Sequence, residues 1–157
     1  YRHKNDPYFI PRSNGNRWRV WASDQLEGPY TLQPEAVTNA LGYTEDITVF
    51  HANGKHCILL DDNYGENTGI PGAGLLVNSD DPLFFDAKAN GEIGFGWFSD
   101  YYSGLSLNII GCAYAKFERP AVLVINDKPA YFYAPSRGTF TGNVTHDNFV
   151  LKVEDSE

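Results

Sequence analysis

The sequence predicts an all-β protein, and three observations carry that prediction. Aromatic residues make up 15% of the 157 positions, with ten Tyr, ten Phe and three Trp, a bias toward pleated, half-buried surfaces. Fifteen Gly and nine Pro punctuate the chain into short segments, as turns between strands require. Apolar residues recur at period two and hardly anywhere at the helical period, and one alternating pair is joined through the hairpin dipeptide Asn53-Gly54.

Taken in order, Arg17 to Ser23 alternates, placing Trp18, Val20 and Ala22 on one face and Arg17, Arg19, Trp21 and Ser23 on the other. Pro34 to Leu41, with Pro at a tolerated first position and Gly42 as a stop, is the best helical candidate and reads as one short helical turn or an irregular loop. Ile47 to His51 and Lys55 to Asp61 flank Ala52-Asn53-Gly54 as a hairpin. Asp62 to Gly74 is a polar, Gly-rich loop, and Leu75 to Ser79 is the next strand. After the turn Asp80-Asp81-Pro82 comes the short apolar stretch opening at Leu83. Lys88 to Ser106 then forms a long aromatic loop. Ala121 to Ile125 and Ala130 to Ala134 flank Asn126 to Pro129 as a second hairpin, and Phe149 to Val153 is the last strand.

Charge narrows the partners. Twenty acidic against twelve basic side chains leave a formal charge of -8. That balance excludes nucleic-acid binding as an expectation, because phosphate neutralisation needs a Lys/Arg surplus. It equally disfavours an anionic membrane surface, and no apolar run is long enough to span a bilayer. Cys57 and Cys112 are too few for a disulfide scaffold and sit in or beside apolar segments, so both read as free buried thiols.

Thr44 to Asp62 and Phe117 to Ser136 look alike: a carboxylate, an apolar strand, a turn at Asn-Gly or Asn-Asp, and a returning strand. Repeated hairpins of this kind suggest propeller blades, with a β-sandwich carrying two similar hairpins as the alternative. Three phrases then bring a known architecture into view. WASDQLEGPYT (Trp21 to Thr31) resembles the blade-ending phrase of five-bladed glycosidase propellers. TEDITVFHANGKHCILLDDNYGENTG resembles the start of the following blade, and FERPAVLVINDKPAYFYAPS resembles the last one. In this order they resemble the C-terminal portion of glycoside hydrolases of families 43 and 117.

The resemblance implies part of a five-bladed β-propeller: residues 1–33 ending blade three, 34–116 forming blade four with a long loop, and 117–157 forming blade five. It further implies an oligosaccharide substrate, inverting hydrolysis at a terminal sugar, and an N-terminal part of the same enzyme that carries the catalytic base. Against this stand a noncatalytic carbohydrate-binding β-sandwich and a propeller that binds glycans without cleaving them.

Glycoside hydrolysis uses two carboxyl groups with different tasks. In this chain Glu45, Asp46 and Glu118 each stand just ahead of an apolar strand. In a regular strand Glu45 and Asp46 point to opposite faces, so Asp46 is the choice for an orienting carboxylate and Glu45 its competitor. Glu118 is the choice for an acid or a sugar-hydroxyl acceptor. Its neighbour Arg119 would favour the ionised form, which suits binding better than acid catalysis. Trp97 and Tyr101 are the aromatic platform candidates, and His146 could reach the rim of the site. His51 and His56, flanking a hairpin turn, are expected at the surface. No His/Cys spacing predicts a zinc site. Asp61, Asp62, Asn63 and Glu66 lack the calcium-loop spacing and read as a solvated turn, with a structural divalent cation as the only cofactor they could accept.

Overall fold

A computed structural model describes residues 4, 6–13, 18–33, 37–38, 43–96, 112–140 and 143–154. Antiparallel sheets dominate. Sheet I is β1 (Tyr8–Ser13), β2 (Trp18–Ser23) and β3 (Thr31–Gln33), in that order. Sheet II is the meander β5 (Thr44–Ala52), β6 (Lys55–Asp62), β7 (Ala73–Ser79) and β9 (Gly91–Phe95). Sheet III is built on the long strand β12 (Lys128–Phe140). On one side β12 pairs with β10 (Cys112–Phe117) and then β11 (Ala121–Ile125), and on the other with β13 (Asn143–Lys152). A two-residue parallel pair joins β4 (Val37–Thr38) to β8 (Phe85–Asp86).

Sheet II lies in the middle. One of its faces presents Phe50, Ala52, Cys57, Leu59 and Phe95 to Phe117, Phe132 and Ala134 of sheet III. The opposite face puts Ile58, Leu60, Leu75 and Val77 against Phe85 and Ala87, and Val49 against Val20 and Ala22 of sheet I. Cover on both faces explains the near-continuous apolar run Cys57 to Leu60, which shows no alternation because neither side meets water. Each fully buried Ile, Leu or Phe in these layers contributes about 1.5–3 kcal/mol. Phe95, Phe117 and Phe132 meet edge-on or tilted, with ring centroids 5.1–6.3 Å apart.

The two look-alike segments fold alike. Asn53 and Gly54 (φ 52° and 71°) close β5–β6, and Asn126 and Asp127 (φ 52° and 63°) close β11–β12. Both are two-residue turns with left-handed central residues, the geometry that matches the twist of paired strands. The turns also meet: the Asn53 N–H donates to the Asp127 carbonyl at 2.5 Å, and the Gly54 N–H to Asp127 Oδ2 at 2.8 Å.

Some expectations need correction. Where one helical turn or an irregular loop was expected over Pro34 to Leu41, Val37–Thr38 is a strand pairing with Phe85–Asp86, so tertiary pairing overrides a weak local preference. The one described helix, α1 (Ala87–Asn90), follows β8 instead; Asp86 caps it by accepting from the Lys88 and Ala89 N–H groups. Within the segment read as a loop from Lys88, Gly91–Phe95 pairs with β7 as an edge strand.

Candidate functional site

The site begins with an irregularity that both hairpins share. Counting back from the Asn53–Gly54 turn at constant register would set Asp46 opposite Asp61. A bulge between Glu45 and Thr48 sets Glu45 there instead. Asp46 takes a left-handed φ of 54° inside the bulge. The corresponding interruption between β10 and β11 falls at Glu118, Arg119 and Pro120, with Arg119 at φ 47°. There the Glu118 N–H donates to the Pro135 carbonyl at 2.9 Å.

The bulge overturns the argument from alternation. Because Asp46 leaves the pleat, its carboxylate joins that of Glu45 rather than facing away from it. Oxygens of Glu45, Asp46 and Asp61 all lie within 4.8 Å of one another. Asp61 is fully buried, and Glu45 and Asp46 are half-buried. Arg119 crosses from the other bulge to place Nε 3.7 Å from Asp46 Oδ2. Its cation offsets part of the repulsion among three adjacent carboxylates, and it is directed at Asp46, where the sequence suggested Glu118 as its partner. The cluster therefore sits where the bulged ends of sheets II and III meet.

These three acids are also the described residues best placed to hold a cation. An all-carboxylate set suits a hard ion such as calcium or magnesium better than zinc. The expected cation loop around Asp61, Asp62, Asn63 and Glu66 divides differently. Asp61 turns to the cluster, while Asp62, also fully buried, organises the following loop. Its carboxylate accepts from the Asn67 N–H (2.9 Å), the Thr68 N–H (2.8 Å), Thr68 Oγ1 (3.0 Å) and Asn67 Nδ2 (3.3 Å). A solvated turn is thus not what these two aspartates form, since both are buried in the last residues of β6.

His51 and His56 also depart from expectation. His56 is buried, and its Nε2 lies 3.5 Å from Asp6 Oδ2. His51 Nδ1 lies 2.8 Å from Asp127 Oδ1, and the two imidazoles meet edge-on at 5.2 Å. The tip itself is exposed; it is the Asp127 side chain beside His51 and Asp6 beside His56 that take the two rings out of open solvent. Cys57 is a free thiol, as expected; its Sγ donates to Asn78 Oδ1 at 3.2 Å, and burial pushes the thiol up to about 11.

Trp97 and Tyr101 lie outside the described residues. His146 is paired with Arg137 in β13, and its side chain also lies outside them. Two residues that sequence reasoning passed over, Tyr43 and Tyr64, stand near the cluster's members along the same hairpin, with ring centroids 6.0 Å apart. Their signal was position: Tyr43 stands two places before Glu45, and Tyr64 just after the Asp61–Asp62 pair. Comparison with family models, with curated proteins and with solved structures gives no match to this chain.

Proposed function

We propose that this chain is the C-terminal part of a five-bladed propeller glycoside hydrolase that removes a terminal sugar from an oligosaccharide. The observation carrying the reading is the meeting of the two bulges, which unites Asp46 and Arg119 from segments 73 residues apart in sequence. A glycosidase needs carboxylates from separate strands gathered at one place, together with donors and acceptors for sugar hydroxyls. Three sheets stacked in chain order, each covering the face of the next, are the layering that successive blades would have.

An inverting enzyme keeps its two working carboxyls about 6.5–9.5 Å apart to admit a water. Glu45, Asp46 and Asp61 stand closer than that, so the trio orients sugar and tunes charge. One of its members then works with Glu118, or with a carboxylate from the N-terminal part of the enzyme. The same closeness favours, as a second reading, a site that binds glycans without cleaving them.

The test is sugar release from arabino-, xylo- and galacto-oligosaccharides by a polypeptide containing this chain. Asp46→Asn and Glu118→Gln are expected to lower turnover by about 10²–10⁴-fold, the range for loss of positioned acid–base groups. Release that is untouched by both substitutions would sink the assignment. Binding without release by any form would leave the second reading.

A further inference from the structure

Tyr43 and Tyr64 are set beside the carboxylates by the same hairpin. The Asn63 N–H donates to the Tyr43 carbonyl at 3.2 Å, extending the β5–β6 ladder one step beyond Thr44 and Asp62. Tyr43 therefore stands opposite Asn63, two places from the Glu45–Asp61 pair. Residues two apart on a strand share a face, so Tyr43 projects on the same side as Glu45 and Asp61, about 7 Å along. Tyr64 opens the loop that Asp62 pins. Gly65 follows it at φ 72°, where an added Cβ would press on the Ile70 and Pro71 backbone.

Both rings remain in solvent, Tyr43 at 38% and Tyr64 at 68% exposure. Their planes make 58° at 6.0 Å, a corner rather than a stacked pair, which leaves ring faces uncovered. An aromatic surface held beside a carboxylate cluster by a braced loop suits a ligand with an apolar face and polar edges.

Resting on the glycosidase or glycan-binding reading above, we infer that Tyr43 and Tyr64 form an aromatic corner that packs on the C–H face of a neutral sugar ring whose hydroxyls reach Glu45 and Asp46. Loop 63–72 is braced before the sugar arrives, so little ordering cost falls on binding.

The test uses the 157-residue chain carrying ¹³C-labelled Tyr rings, titrated with arabinobiose, xylobiose and galactobiose and followed by NMR. At least one disaccharide is expected to shift both ring signals. Tyr43→Ala and Tyr64→Ala should each weaken that binding about 3- to 10-fold, while the Phe variants, which keep the ring, should bind like the parent. Tyr64 packs little, so Tyr64→Ala tests the corner even if Tyr43→Ala perturbs the strand. Ring signals that ignore all three disaccharides, or a Tyr64→Ala variant binding as tightly as the parent, would overturn the corner. Sugar release by a polypeptide that also carries the N-terminal part, abolished by Asp46→Asn but with KM unchanged in the double alanine variant, overturns the corner and leaves the glycosidase reading intact. Ring shifts in this chain, with no sugar release from a polypeptide that also carries the N-terminal part, uphold the corner and point to binding alone.

Discussion

Removing the Asp62 carboxylate is expected to release the loop between β6 and β7 and cost a large share of the fold's stability. The group is fully buried and accepts four hydrogen bonds, three of them at Oδ2. A hydrogen bond to a charged group contributes about 1.5–3 kcal/mol. In Asp62→Ala, water can reach the half-buried Asn67 and Thr68 donors and recover part of this. The backbone bonds from Gly65 and Gly72 to the Asp62 carbonyl also survive. The net loss is then about 3–5 kcal/mol, against a total of about 5–15 kcal/mol for an ordinary domain. Asp62→Asn keeps the shape but loses the charge, and should cost about 2 kcal/mol. Urea unfolding measures both, and hydrogen exchange at the Asn67 and Thr68 amides reads the local effect. An Asp62→Ala variant within about 1 kcal/mol of the parent, with those amides equally protected, would refute the reasoning.

Gly74 sits in β7 opposite Asp61, and a Cβ there would overlap the Phe95 ring, which Phe117 and Phe132 hold from the other side. Gly74→Ala should therefore destabilise by about 1–3 kcal/mol in urea, and Phe95→Leu in combination should cost less than the two separate losses together. The Cys57 thiol is held up near 11 chiefly by burial, from an ordinary value near 9. Between those pH values the unfolded chain has released its proton and the native chain has not, so the unfolded state binds fewer protons and stability falls as pH rises. Urea midpoints at pH 8 and pH 10.5 should differ more for the parent than for Cys57→Ser, and alkylation of the native thiol at pH 8 should be slow.

Much of the sheet architecture was legible because strand signals are local. The alternation of Trp18 to Ser23 gives Val20 and Ala22 buried and Arg19 exposed, and Ala121 to Ile125 is β11 to the residue. Asn-Gly and Asn-Asp located both turns, read as loops of three and four residues; strand pairing runs closer to the tips and leaves two residues in each. The choice of Glu45 and Asp46 also came from position, at the start of an apolar strand. What stayed hidden depends on contacts between distant segments. Val37–Thr38 is a strand only because Phe85–Asp86 comes alongside, and His56 is buried, beside Asp6, although the tip of its own hairpin is exposed.

The candidate site shows the same division most sharply. Residue order by itself determined that carboxylates open two similar hairpins, because that depends on composition and on period-two patterning along one segment. Only the tertiary structure decided that the Glu45 and Asp46 carboxylates lie together, that Asp61 joins them, and that Arg119 reaches Asp46. The cause is a single extra residue in each bulge. It changes the direction of a side chain without changing the hydrophobic pattern, and it is stabilised by the sheet-on-sheet packing that brings the two bulges together.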